Sequence, residues 1–250
     1  MRLPVARYDT IGRTYAARRR PDPRIARLID SALGGAGSVV NVGAGAGAYE
    51  PAGRAVVAVE PSGVMIAQRP AGSAPAVRAW AESLPFDDGA FEAALAILTV
   101  HHWSDRRAGL SELRRVARGR VVILTWDPAH PGFWLVRDYF PDMIELDRRT
   151  FPALAELEAA LGRVEVSAVP VPHDCADGFL GAYWRRPWEY LDGVARASIS
   201  AFALMGDVAP PLGRLRDDLE SGRWAARNAE LLGLEELDVG YRLVVSGRAA

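Results

Sequence analysis

The chain has 250 residues, 50% hydrophobic and 24% charged, enough for one good-sized core with room for an insertion and too apolar for a disordered chain. A formal net charge of -1 supplies no global field for nucleic acid or for an anionic membrane surface, so neither is expected as a partner. All 30 cationic residues are Arg and Cys175 is the single cysteine. That excludes a pyridoxal Schiff base, a Walker lysine, a lysine nucleophile, an intrachain disulfide and a multi-cysteine zinc site.

The opening "MRLPVARYDTIGRTYAARRR" lacks a signal-peptide h-region, and no apolar run reaches membrane-spanning length, so the expected location is the cytoplasm. The arginine run at 18–20 reads as a solvated helix face. Residues 21–34 space Ile25, Leu28, Ile29 and Leu33 as one face of a helix, opened by Asp22 or Pro23 and closed by Gly34-Gly35. Strands are predicted at 38–42, 55–59, 93–99 and 120–125, with a helix between the last two that stops at Gly119. After 125 the pattern loosens, then resumes with the helix "FPALAELEAALG" and strands at 164–171 and 236–247. Segment 173–233 is helical in pattern and too long for a hairpin loop. Alternating strands and helices imply an α/β fold with a Rossmann-like, mostly parallel sheet, helices on both faces and a helical insertion before the last strand. Residues 1–250 are expected to form a single domain: an N-terminal helical segment (1–35), a core (36–171 and 234–250) and an insertion (172–233) acting as a substrate cap.

Gly43, Gly45 and Gly47 follow the first strand directly, where an open parallel sheet binds its ligand. Glycines there let the backbone turn sharply and approach a ligand. Glu60 ends the second strand, where a carboxylate can accept hydrogen bonds from ribose hydroxyls. Only "AYEPAGR" separates the last glycine from the next strand, too little for the helix whose N-terminus would hold a pyrophosphate. A nicotinamide oxidoreductase is therefore disfavoured, and an adenosine ligand with an amino-acid head and no phosphate fits better.

These segments, with "YDTIGRTYAARRRPDPRI", "VVAVEPSGVMIAQR", "AWAESLPFDDGAFEAALAILTVHHW" and "LSELRRVARGRVVILTWDP", occur in an order that resembles a class I S-adenosylmethionine-dependent methyltransferase. The resemblance is to the small-molecule type that includes the ubiquinone and menaquinone methyltransferases, and it covers roughly residues 8–128. It implies S-adenosyl-L-methionine as cofactor, with Gly43, Ala44, Gly45 and Gly47 along the methionine moiety and Glu60 and Pro61 at the ribose. It also implies Met65, Ala81 and Glu82 near the adenine, Leu98 and Thr99 under the sulfonium, and Tyr8 and Tyr15 folding over the cofactor. Asn41 stands where the family usually has Asp, and Trp80 replaces an Asp that contacts the adenine amine, a role that passes to Glu82.

Methyl transfer is an in-line displacement that needs an aligned acceptor and, for O or N acceptors, a base. His102 is the first candidate base. His101 is the better candidate for holding the strand-to-helix loop. Asp127 and His173 are further candidates, and His173, Asp174, Tyr183, Trp184, Arg185 and Arg186 could clamp an aromatic or acidic acceptor. No metal site is expected from His101, His102 and His130, because neighbouring histidines in a strand point apart. The expected activity is methyl transfer from S-adenosylmethionine to a small-molecule acceptor, by a monomer or homodimer. The rival is a module that binds the cofactor without catalysis.

Overall fold

Helix α1 (Pro23–Leu33) begins where a capping carboxylate and a fixed φ coincide: Asp22 accepts the Arg24 N–H and Pro23 takes the first helical position. The computed structural model describes Ala6, Tyr8, Asp9 and residues 18–247. Ile25, Ile29 and Leu33 form the buried face of α1, and Gly34, at φ 58°, ends it. Short β-branched runs then give β1 (Ser38–Val42) and β2 (Ala55–Val59), followed by α2 (Gly63–Ala67), β3 (Ala76–Val77) and β4 (Phe91–Ile97). Next come α3 (Arg106–Val116), β5 (Ala117–Trp126), α4 (Pro141–Thr150), α5 (Leu154–Leu161) and β6 (Val164–Ala168). Two-residue strands β7 (Val171–Pro172) and β8 (Glu236–Leu237) precede the last strand, β9 (Tyr241–Ser246).

The seven-stranded sheet runs β3-β2-β1-β4-β5-β9-β6. β9 is antiparallel to both its neighbours and the other pairs are parallel. Strand order reverses at β1 and β4, so the crevice for a ligand opens beyond their carboxyl ends. Side-chain alternation divides the core into two layers. Val39, Ala93, Leu95, Val122 and Leu124 pack with α1 and with residues beyond 132, whereas Val40, Ala94, Ala96, Val121 and Ile123 pack with α3 and α5.

Three expectations are corrected. β4 starts at Phe91 and ends at Ile97, leaving Leu98 and Thr99 beyond it. Gly119 does not stop a helix: α3 ends at Val116 and passes straight into β5. Gly119 lies in that strand, where a Cβ would fall 2.5 Å from the Glu92 carbonyl oxygen, so the close approach of the two strands requires glycine. The predicted strand 236–247 is two strands, because Gly240, at φ 102°, turns the chain between β8, which pairs with β7, and β9.

The loosely patterned stretch after Trp126 is structured. It contains a π-helical turn, Leu135–Tyr139, and then α4. Trp134 meets the rings of Tyr190 and Trp224 edge-on at 5.6 and 5.1 Å and donates its indole N–H to the Trp184 carbonyl oxygen. Helices Gly193–Ala197, Ser200–Ala203, Ala209–Glu220 and Arg223–Arg227, with 3₁₀ turns before and after them, occupy the region between β7 and β8. Residues 133–144 and 179–224 thus share one aromatic core above the carboxyl ends of the strands.

Candidate active site

Gly43, Gly45 and Gly47 all have positive φ, at 69°, 55° and 91°. The Gly43 and Ala44 N–H groups both donate to the Val59 carbonyl oxygen, at 2.8 and 3.1 Å, which folds the loop across the end of β2. A side chain at Gly43 would collide with Thr99, and one at Gly45 would come within 3.3 Å of the Met65 methyl. Glu60 is buried and accepts the Gly45 N–H at 2.8 Å and the Ser62 N–H at 2.9 Å. Burial pushes its carboxyl up, and those two N–H bonds pull in the other direction.

A cavity of about 1080 Å³ opens above this loop. It brings together Tyr8, Asn41, Gly43, Ala44 and Gly45 with Glu60, Pro61 and Met65; Ala81, Glu82, Leu98, Thr99 and His102 complete the predicted set, and Trp80 lies on the same wall. Gly47 is outside it, one turn further on beside Arg69. Tyr15 falls outside the described residues. Glu82 spends one carboxylate oxygen on the Ser104 N–H, the Ser104 hydroxyl and the Asp105 N–H, so it braces the turn before α3 as well as facing the cavity.

Asn41 tests whether these residues fit S-adenosylmethionine. Both polar atoms of its side-chain amide are buried without a hydrogen-bond partner among the described residues. A buried amide left that way is costly, and this one lines the cavity above the glycine loop. A ligand head with both donors and acceptors, such as an amino acid, satisfies it, and Met65, Trp80 and Ala81 give the same cavity an apolar wall that suits a flat base. The residues fit.

A second cavity, of about 880 Å³, lies on the aromatic side. Its walls are chiefly Trp126, Phe133, Ile144, Phe151, Phe179 and Tyr241. Leu98, His102 and Arg19 border both cavities. Leu98 is held at φ 49°, a conformation costly for a branched side chain, while its N–H continues the ladder to the Leu124 carbonyl oxygen at 2.8 Å. His102 Nε2 lies 2.8 Å from the Tyr8 hydroxyl oxygen. His101 lines the aromatic cavity and stacks on Phe151 at 3.9 Å with a 23° tilt.

Neither Asp127 nor His173 reaches a cavity. Asp127 opens a turn, accepting the Ala129 N–H, and faces Arg242 at 3.8 Å. His173 packs against Glu235. The proposed clamp is structural: Arg185 and Arg186 donate to backbone carbonyl oxygens, Trp184 is fully buried, and burial pushes the Cys175 thiol up to about 12. The His101 and His102 rings do not point apart, their centroids being 3.8 Å from one another, because they sit in a 3₁₀ turn, Val100–His102, and not in a strand. No cluster of three metal-ligating side chains occurs among the described residues.

Arg19 is the residue the sequence reading missed on the cofactor side. It is not solvated: its side chain is 9% exposed and pairs with fully buried Asp177 at 2.7 Å. The Tyr49 hydroxyl donates to the same carboxylate at 3.0 Å.

Residues 40–124 match a family model described as a methyltransferase domain. A solved structure from Anabaena variabilis, described as a methyltransferase from an antibiotic biosynthesis pathway, is 35% identical over 94% of this chain and 100% of that one, with a TM-score of 0.85. Phosphoethanolamine N-methyltransferase 2 of Haemonchus contortus, solved with S-adenosyl-L-methionine, shares the fold at 14% identity, over 97% of this chain and 57% of that one, with a TM-score of 0.57. A chloroplastic hydroquinone methyltransferase of rice, 2-methyl-6-phytyl-1,4-hydroquinone methyltransferase 2, is 38% identical over 63 residues, 25% of this chain and 18% of that protein. The chain spans about a third or less of the length of the curated relatives it matches. With the full-length relative, the glycine loop and the sheet order in agreement, the chain belongs to the class I S-adenosylmethionine-dependent methyltransferases.

Proposed function

We propose that this chain transfers the methyl group of S-adenosylmethionine to a small, largely apolar acceptor held in the aromatic cavity. One observation carries the reading: a glycine-framed cavity and an aromatic cavity meet at Leu98 and His102. In this reading Asn41, Gly43–Gly45 and Glu60 hold the cofactor's head and ribose, and Met65, Trp80 and Ala81 its base. The cofactor supplies a methyl group on a positively charged sulfur. Leu98 spaces that end of the first cavity from the acceptor, and the aromatic walls orient the acceptor and exclude water. For an O–H or N–H acceptor, His102 acts as the base, and the Tyr8 hydroxyl, bonded to its Nε2, fixes the ring. His101, stacked on Phe151, supports the wall.

Segment 172–233, together with 127–150, acts as the substrate cap. An aromatic acceptor suits it. An acidic one is poorly served, since Arg19, the arginine on that wall, is committed to Asp177. Action in the cytoplasm accords with the single buried thiol, and the working form is a monomer or homodimer. Among the described residues no helix is long and apolar enough to cross a membrane.

Calorimetric titration with S-adenosylmethionine, S-adenosylhomocysteine and NADH tests the cofactor. Binding of the first two alone is expected, followed by release of S-adenosylhomocysteine when an acceptor is added. Tight NADH binding with no response to the others would overturn the reading.

A further inference from the structure

Asp147 lies near the C-terminal end of α4, on the wall of the aromatic cavity. Among the described residues its carboxylate has no hydrogen-bond or ion-pair partner, and burial pushes it up to about 7. Three neighbouring arginines are paired with other carboxylates. Arg19 pairs with Asp177, Arg148 with Glu145 and Arg106 with Glu156. The Thr150 hydroxyl donates to the Leu146 carbonyl oxygen at 3.0 Å, and the Tyr241 hydroxyl accepts the Gly181 N–H at 3.3 Å.

A carboxylate in this place is disfavoured twice, by loss of water and by the negative end of its own helix. It contributes nothing to stability that an apolar residue would not supply better. What it does supply is a carboxyl with no cation beside it, ready to give up its proton to the field of a bound cation, in a cavity walled by aromatic rings whose faces also attract cations.

We propose that Asp147 recognises an amine on the acceptor: the acceptor is a small molecule with a flat or apolar body and one protonated nitrogen that pairs with this carboxylate. The inference rests on the methyltransferase reading, because it takes the aromatic cavity as the acceptor site. The ammonium supplies the cation that this carboxyl lacks, and Phe133, Phe151 and Phe179 enclose the body. A hydroxyl in place of the amine offers a hydrogen bond without a charge and binds more weakly.

The test is calorimetry on the full chain saturated with S-adenosylhomocysteine, using tyramine, tyrosol and 4-hydroxyphenylacetate, three probes with the same ring and an amine, alcohol or carboxylate head. The amine is expected to bind at least about tenfold more tightly than the alcohol, and the carboxylate most weakly. Asp147→Asn, nearly the same size, is expected to bring amine and alcohol within about twofold while S-adenosylhomocysteine binds as before. An amine that binds no better than the alcohol, including no amine binding at millimolar concentration, overturns the proposal, as does a preference that survives in Asp147→Asn. The titration with S-adenosylhomocysteine separates the two readings. If it fails, the methyltransferase reading falls; if it succeeds without an amine preference, only the role of Asp147 falls.

Discussion

The two cavities that meet at Leu98 and His102 are built by opposite means. On the cofactor side the floor is a main-chain loop within a few residues of β1, with Gly43 and Gly45 at positive φ between the short side chains of Asn41 and Ala44. On the other side the walls are side chains brought from Leu98 to Tyr241, with rings from Trp126, Phe133, Phe151, Phe179 and Tyr241. A wall of backbone has no side chain to trade, so any added atom intrudes. A wall of side chains can be re-cut one residue at a time. Substitutions should therefore fail abruptly on the first side and by degrees on the second.

The largest effect on cofactor binding should come from Gly43→Ala, where the new methyl meets Thr99 and the φ of 69° is strained. A loss of about 100-fold or more in S-adenosylhomocysteine affinity is expected, with about 1–3 kcal/mol of lost stability. A Kd within twofold of wild type would break the comparison. His102→Gln, at the junction, should lower kcat by about 10²–10⁴ for an O–H or N–H acceptor while leaving cofactor affinity nearly unchanged; equal losses in both would make His102 a binding group. Phe151→Leu removes the stack on His101 and should raise the acceptor KM about tenfold, about 1.4 kcal/mol, again sparing the cofactor.

The smallest effect concerns stability against pH. The folded-state value of about 7 for Asp147 lies above the ordinary 3.8, so the folded chain binds this proton more tightly than the unfolded one. Its contribution is present below pH 3.8 and is lost as pH rises through 7. Asp147→Asn should flatten that fall and, for a half-buried group, stabilise the unliganded protein at pH 8 by about 1–2 kcal/mol. Parallel melting curves for both proteins from pH 5 to 8 would show the prediction to be wrong.

The same contrast explains what could be read from the sequence. β1, β2 and the glycine loop are local: a β-branched run, a fixed spacing and an acidic residue at the next strand end all lie within 25 residues, and the expected positions from Asn41 to Thr99 meet in one cavity apart from Gly47. The aromatic cavity is non-local. Phe133, Asp147 and Phe179 share no motif, and the π-helical turn at Leu135–Tyr139 has neither helical nor strand periodicity. Asp147 sits in "DMIELDRRT", where it reads as one more polar residue of an amphipathic helix. Arg19 was hidden in a run of three arginines, whose pattern cannot tell which one turns inward toward Asp177. Asp127 and His173 followed strands, as catalytic residues often do, yet a strand end fixes only where a residue is and not which way it faces.

Arg19 has a further, kinetic consequence. It borders both cavities, and its partner Asp177 also holds Tyr49, the residue two beyond the last loop glycine, at a φ of 61°. A single buried ion pair thus joins the start of the described chain, the glycine loop and the insertion. Exchange of one ligand then disturbs a contact that also touches the other, so Arg19→Ala should speed the dissociation of S-adenosylhomocysteine and of an acceptor alike in paired binding measurements.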